Sequence, residues 1–567
     1  MKTRTICAIA AVLLAGCGTK REQAVADLVI VDGDIVTMNP AQPQARALAA
    51  KDGKIVFVGE TEQAQGWIGK DTQVLRLKGE SVWPGLIDSH IHLMEGALTL
   101  DSCSFDDKQL KLAEVAPIIR ACAERTPGDG WLTLQNLNAA GFSAARQDLD
   151  AIVPDRPLFL FSADGHVGWA NTAALKRVGI DRKTPDPPGG RVERDAKGEP
   201  TGFLIDTAVN LLSDKLEKPT PEQRERMLLK ALHDLTAAGV TSFMEANTSA
   251  ATVRTYVELA RKKQLHSRVT FALGSEGEAT DEEFARLKEL RALAESQPPL
   301  RADMIKLFND GIMEFPTQTA AMLGPYLDTK GKPTKNLGPL YHEIGPLTEF
   351  VRRADTEGFS VHIHAIGDRA VRVALDAFAD ARAGGSKRRY SIAHLELVDP
   401  ADIPRFRQLD VIASFQLQWA QPDNYSVDAV LPYIGPERQA RLYPAGSFVA
   451  AGAPIAGGSD WNVSTFNPFE AMAVAASRTN PQQPERGMLG GPEQKVALRD
   501  MLVAYTVNAA RMMGREQEVG SIEAGKAADV IVLDRRLYES SSPADIRATK
   551  VVYAFTDGAM RIGPANR

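Results

Sequence analysis

Cysteine is scarce in this chain, with four in 567 residues. Cys7 and Cys17 lie in the first few residues, which leaves Cys103 and Cys122 for the body of the protein. So few exclude a disulfide-stapled scaffold and a cysteine-built zinc ribbon. In an oxidising compartment Cys103 and Cys122 could pair, but their spacing alone leaves that open. An excess of one charge is also missing: 72 acidic residues stand against 66 basic ones. That near balance, slightly negative, excludes a polybasic surface for nucleic acid or for a membrane. Beyond the N-terminal residues no apolar run is long enough to cross a bilayer. Internal repeats and low-complexity tracts are absent. What remains is a chain longer than one ordinary domain and suited to a large enzyme.

The start of the chain has its own grammar. Lys2 and Arg4 precede an apolar run from Ile6 to Gly16. A charged start, a short apolar core and small residues before a cleavage point predict a secretory signal peptide over residues 1–16. Leu14-Ala15-Gly16-Cys17 resembles the lipobox of bacterial lipoproteins, which makes Cys17 the lipidated residue. Gly18, rather than aspartate, follows it, and by the same resemblance the anchored protein belongs on the periplasmic face of the outer membrane. A multiply acylated cysteine anchors stably, since each buried methylene contributes roughly 0.8 kcal/mol.

Two ends of the chain share a β-rich texture. Leu28–Val31, Ile35–Met38 and Ile55–Gly59 are β-branched runs separated by Asp32-Gly33 and Asp52-Gly53, which are hairpin cues. Ala528–Asp534 and Val551–Gly558 read the same way. Neither end holds enough strands to stand alone, so residues 27–82 and 515–567 are expected to form one composite β-sandwich. Between them, strand-like and helix-like runs alternate, the pattern of a parallel β/α fold.

The densest chemical signal is Trp83-Pro84-Gly85-Leu86-Ile87-Asp88-Ser89-His90-Ile91-His92. It reads as one apolar strand ending in two histidines. Alternation with period two puts His90 and His92 on one face, where both imidazoles could hold one metal ion. A pair of structurally satisfied histidines would look the same in isolation.

Pro84–His92 resembles the first barrel strand of the metal-dependent amidohydrolase superfamily. That resemblance implies a TIM-type (β/α)8 barrel over residues 83–514, with active-site residues at the C-terminal strand ends. The remaining strands are expected near Val240–Met244, Arg268–Leu273, Met304–Phe308, Ser360–His364, Ser391–His394, Val411–Phe415 and Pro454–Gly458. Helices are expected between them, among them Pro221–Ala238 and Asp281–Glu295. The resemblance supplies a ligand set of His90, His92, Lys306, His364, His394 and Asp460. Lys306 lies in the apolar run Asp303–Phe308, where burial favours a neutral amine. In the subtype resembled, that lysine is carboxylated and bridges two divalent ions, Zn²⁺ by expectation; an outward-facing lysine is the alternative. His362 is expected one layer deeper, in a hydrogen-bonded core role. His233, His266 and His342 read as surface or structural.

Residues 100–220 are too long for an ordinary barrel loop and read as a lid within the barrel. Asp164–Leu175 resembles a stretch of the amidohydrolase family 3 branch, which includes N-substituted formamide deformylases. His166, Trp169 and Asn171 are its candidate substrate contacts, although Asn171 could equally cap a helix. Glu245, Gln416 and Trp419 are further pocket candidates; packing roles are as plausible for each. Asp310, just past Lys306, could orient a ligand or shape a turn. The chemistry implied is hydrolysis of an amide-like C–N bond of a small molecule, with Asp460 as general base and acid. An ester or lactone hydrolase would use the same metals, and a non-catalytic lipid-anchored binding protein is the reading from another class.

Overall fold

The structure is a computed structural model and describes residues 25–100, 102–140 and 142–564. The expected signal segment 1–16 and the expected lipidation site Cys17 lie outside the described residues. Eight parallel strands form the centre: β1 (Leu86–Ile91), β2 (Val240–Thr248), β3 (Arg268–Gly274), β4 (Leu300–Phe308), β5 (Ser360–Ala365), β6 (Tyr390–His394), β7 (Val411–Phe415) and β8 (Ile455–Gly457). Each pairs with its sequence neighbour, so the order around the barrel is the order along the chain. The seam between β8 and β1 closes differently. Asp460 N donates to His90 O at 2.8 Å, and His92 N donates to Trp461 O at 2.7 Å. The buried Asp88 carboxylate buckles the same seam, accepting from His90 N and Ser459 N, each at 3.0 Å.

Helices wrap the barrel where the sequence gives an amphipathic face and a cap. Pro221–Ala237 starts on Thr220, whose hydroxyl accepts from Gln223 N, and its first residue is proline, whose missing N–H is no loss at that position. Leu228, Leu232 and Leu235 turn inward from it. The barrel floor is plugged by Ile87, Met244, Ala272, Met304, Ile412 and Ala456. The layered filling makes this a packed core rather than a pore.

The motif around His90 departs from the sequence expectation of a single strand. Ser81–Pro84 is a separate strand that pairs with Val530–Leu533 in another sheet, and β1 begins only at Leu86. Gly85 is the crossing point. A Cβ on it would lie 2.1 Å from Thr241 Oγ1, so only glycine lets the chain pass from one sheet to the next here. His92 is one residue past the end of β1 and begins the helix Leu93–Thr99.

The terminal segments interleave. A four-stranded sheet is built from the N-terminal segment alone, and a six-stranded sheet joins Asp34–Val36 and Ser81–Pro84 to Val530–Leu533 and Val551–Thr556. Leu28, Ile30, Ile55, Val82, Val530, Val532 and Phe555 share one core. Arg268, at the start of β3, forms ion pairs with Asp529 and Asp557 and fastens this unit to the barrel.

The insertion folds on itself into a six-stranded mixed sheet that runs from Gly190–Arg194 at one edge to Cys103–Ser104 at the other. Cys103 and Cys122 form a disulfide with Cα atoms 6.1 Å apart, tying that edge strand to the helix Leu112–Arg125. The lid has its own core, with Leu132, Leu158, Trp169 and Phe203 among its members.

Candidate metal centre

At the C-terminal ends of the strands, six side chains from five strands converge. Nε2 of His90 and of His92 lie 3.4 and 3.1 Å from Asp460 Oδ1. His394 Nδ1 faces the other carboxylate oxygen at 3.7 Å. Lys306 Nζ is 3.3 Å from His90 Nε2. The His364 ring lies 4.4 Å from that of His394. Ligand atoms of His90, His92 and Asp460 fall within 4.8 Å of one another. Asp460 Oδ1 and His394 Nδ1 are buried and have no hydrogen-bond partner in the chain.

The electrostatics suit a cation. Burial, reinforced by the charge of Lys306, holds the imidazoles of His90 and His364 well below the ordinary histidine value. Burial, then His364 and Lys306, does the same to His394. These rings are neutral, the state that ligates metal. Lys306 is fully buried, and burial lowers it to about 7, so an uncharged amine is within reach at neutral pH. Burial would raise Asp460, but the His92 imidazole 3.1 Å away and the other charges around it outweigh that and keep it ionised. Orphaned acceptors and neutral imidazoles in one buried shell fit a divalent metal.

A further ring of contacts fixes the ligands. His90 Nδ1 bonds His362 Nε2 at 2.7 Å, and His362 Nδ1 bonds Ser391 Oγ at 2.7 Å. That chain leaves His90 Nε2 for the centre. Asp310 accepts backbone N–H groups of Ala321, Ile366 and Gly367 and lies 3.2 Å from His364 Nδ1. It shapes the turn and orients the ligand at once. Asp460 and His394 both have φ in the left-handed region, at 51° and 77°. Strain of this kind is held in place by surrounding contacts and is common at functional sites.

A cavity of about 2520 Å³ opens above the centre and is walled on the far side by the lid. His92, His364, His394 and Asp460 line its floor. From the lid comes His166, whose Nδ1 is 2.7 Å from Asp206 Oδ1 and whose ring is 6.2 Å from that of His364. Burial alone would lower His166, but the bond and charge of Asp206, with Asp164 and Glu314 behind, raise it to about 9. Trp419 also lines the cavity, its ring lying nearly parallel to His394 at 5.9 Å.

Four of the expected substrate contacts do not reach this space. Trp169 is packed in the lid core between Phe142 and Phe203, each ring 5.0 Å away. Asn171 is the helix cap: its Oδ1 accepts from Leu158 N and Ala174 N, and its Nδ2 donates to Val153 O and Arg156 O. Every polar site of that side chain is filled. Glu245 is buried behind His92, where it accepts from Met94 N and the Tyr256 hydroxyl and pins the helix that His92 begins. Gln416 is fully buried beside His90 and Gly458, below the cavity floor, with neither amide atom partnered.

Other residues line the cavity without having been expected there. His342, read as surface or structural, is half-buried on its wall. Glu314, Glu396 and Asp206 line it too, whereas Gln418 lines it from the Phe415–Trp419 stretch that was expected there. Glu396 sits two residues past His394 in the same strand-end motif, a signal that was on the page. Asp206 is 40 residues from His166, and no local pattern links the two.

The sequence profile of the amidohydrolase family matches residues 73–561. The chain belongs to that family. Membership makes it a metal-dependent hydrolase of carbon–nitrogen bonds. Protein LONG AFTER FAR-RED 3 of Arabidopsis thaliana is 30% identical over 550 residues, 93% of this chain and 91% of that protein. The N-substituted formamide deformylase of Arthrobacter pascens is 28% identical over 555 residues, 94% of this chain and 98% of that one. An uncharacterized metal-dependent hydrolase from Pyrococcus horikoshii OT3 shares the fold, with a TM-score of 0.70 at 23% identity over 91% of this chain and 99% of that one.

Proposed function

We propose that this amidohydrolase cleaves an amide-like C–N bond of a small molecule, with His90, His92, Lys306, His364, His394 and Asp460 holding two divalent ions and Lys306 carboxylated between them. The observation that carries the reading is the convergence of these side chains, with orphaned acceptors, at one end of the barrel. A buried, neutral lysine amine can add carbon dioxide to give a carbamate and a proton. Bound there, divalent ions would supply polarisation of the scissile carbonyl and acidification of a water.

The chain's own residues do the rest. Asp460, ionised and facing three histidines, takes a proton from the attacking water as its oxygen bonds the acyl carbon. It delivers that proton to the nitrogen as the C–N bond breaks, leaving a carboxylic acid and an amine. His362 and Asp310 keep His90 and His364 in register throughout. His166 contacts the substrate from the lid side, with Trp419 as the apolar face opposite.

The N-terminal pattern supports export and lipid anchoring at Cys17, with the outer membrane as the site. The Cys103–Cys122 disulfide suits the oxidising compartment that this implies. The test is a metal count on residues 18–567 expressed with Zn²⁺, for wild type and Lys306→Ala, followed by a panel of formamides, N-acyl amines, esters and lactones. Two ions falling to one or fewer in the variant, with amides turned over, is the expected result. One ion in both discards the bridging lysine; turnover confined to esters or lactones discards the amide specificity; no ion in either sinks the reading.

A further inference from the structure

The candidate ligand histidines are not supported alike. Nδ1 of His90 is bonded to His362, and Nδ1 of His364 faces Asp310 at 3.2 Å. His92 has no such support. Its Nδ1 is buried without a hydrogen-bond partner, and the carboxylate of Glu95 stands 3.8 Å from it on a side chain that is 63% exposed. The ring therefore goes where its backbone sends it. That backbone is a turn: His92 is the first residue past β1 and the cap of the helix Leu93–Thr99, yet its own side chain caps nothing.

Two bonds from outside hold the turn. On one side His92 N donates to Trp461 O at 2.7 Å. On the other, Met94 N donates to Glu245 Oε1 at 3.1 Å. An N–H in the first turn of a helix has no partner within that helix, so this one depends on the carboxylate. Glu245 comes from β2, opposite Ile91 in the parallel ladder, and is 2% exposed. Its other oxygen accepts from the hydroxyl of Tyr256, a fully buried side chain beside Phe243 and Phe271. One oxygen thus grips the turn while the other is braced by a fixed phenol. Taking a carboxylate out of water is costly, and an apolar side chain would fill the same space at less expense. What the carboxylate adds is a rigid link from the second strand to the residue beside His92.

We infer that Glu245, braced by Tyr256, is a positioning residue for His92, fixing the turn from which that imidazole reaches the candidate metal centre. It acts through Met94 and the turn, not by contact with a reacting atom. The inference rests on the metal reading above, and it assigns to the Glu245–Tyr256 pair the part that His362 plays for His90.

Cobalt binding by residues 18–567 tests the role without turnover. Glu245→Met keeps the side chain's length and removes both acceptors. Glu245→Gln keeps an acceptor for Met94 N–H and offers an N–H to the Tyr256 oxygen. Tyr256→Phe removes the brace and keeps the ring. In chelator competition on folded protein, Glu245→Met is expected to hold Co²⁺ about tenfold or more weakly than wild type. Glu245→Gln is expected to stay within about threefold of wild type, with Tyr256→Phe between the two. The visible absorption of bound Co²⁺ is expected to change in Glu245→Met and to return in Glu245→Gln. Urea unfolding of the metal-free proteins separates this from a purely structural role, which would lower stability and leave the affinity and absorption of the folded protein as in wild type. Wild-type affinity and absorption in folded Glu245→Met, or in Tyr256→Phe where Glu245→Met does not fold, overturn the positioning role alone. Failure of the wild type itself to bind Co²⁺ removes the metal centre, and this role with it.

Discussion

Replacing Asp206 by asparagine isolates the charge that the lid places over the metal centre. Asparagine keeps an oxygen for the His166 Nδ1–H and matches aspartate in shape at this position, where φ is 50°. Only the negative charge is lost. In the native protein His166 is raised from 6.5 to about 9, although burial alone would lower it. Each pKa unit is worth about 1.4 kcal/mol, so protonation of His166 stabilises the fold by up to about 3 kcal/mol. The sign follows from the raised value. The contribution is present in full below pH 6.5, the unfolded value, and is lost as pH rises through about 9. In Asp206→Asn burial dominates and the imidazole is neutral at pH 8. Urea unfolding of both proteins at pH 6, 8 and 10, followed by tryptophan fluorescence, reads the difference. The variant is expected to be less stable by roughly 2–3 kcal/mol at pH 6 and by little at pH 10. Stability curves that run parallel from pH 6 to 10 would refute the argument, because the gap between the two proteins would then have nothing to do with the imidazole's charge.

Three further outcomes test other parts of the structure. Asp310→Ala removes the carboxylate that orients His364 and should weaken metal binding by about 10–100-fold in a chelator competition; unchanged affinity would reduce Asp310 to a turn residue. Asn171→Ala strips a helix cap and three further hydrogen bonds from the lid and should cost ~2 kcal/mol of stability while kcat/KM, measured where the lid is folded, changes by less than about threefold. A large kinetic loss at full folding would restore Asn171 as a substrate contact. Cys103→Ser opens a bridge spanning 19 residues, which loop-closure entropy values at about 3 kcal/mol. The same loss should follow reduction of the wild type, and a melting temperature indifferent to reductant would deny the bridge.

What the sequence made legible about the fold was whatever repeats a local period. The barrel strands are short apolar runs with turn residues at their ends, and each lies within a few residues of its expected place, as Arg268–Gly274 and Val411–Phe415 illustrate. The break at Gly85 was not legible, because Trp83–Ile87 carries no polar residue on either side of it and a buried strand has no alternation to mark a boundary. The reason for the break lies 156 residues on, at Thr241, whose side chain fills the space a Cβ would need. The lid's strands were visible only in part for the opposite reason. Gly190–Arg194 is a charged edge strand whose pairing with Pro200–Asp206 carries most of its definition.

The site divides along the same line. Candidate ligands at strand ends, such as His90, Lys306 and His394, come with a motif, because a metal demands fixed residue types at fixed positions on neighbouring strands. Trp169 and Asn171 also sit in a motif, yet their side chains face the lid core, since a recognisable stretch marks local folding demands as readily as chemistry. Several groups that line the cavity have no motif at all. Glu314 lies in the loop after β4, Gln418 in a turn after β7, and Asp206 at the end of a lid strand. Each is an ordinary polar residue until the barrel and the lid bring it to the same space. Their meaning comes from what the fold sets beside them, as the pairing of Asp206 with His166 shows, and that neighbourhood exists only in three dimensions. Reaction class is therefore written along this chain, while the lining of the cavity is written across it, by groups that the fold gathers above the candidate metal centre.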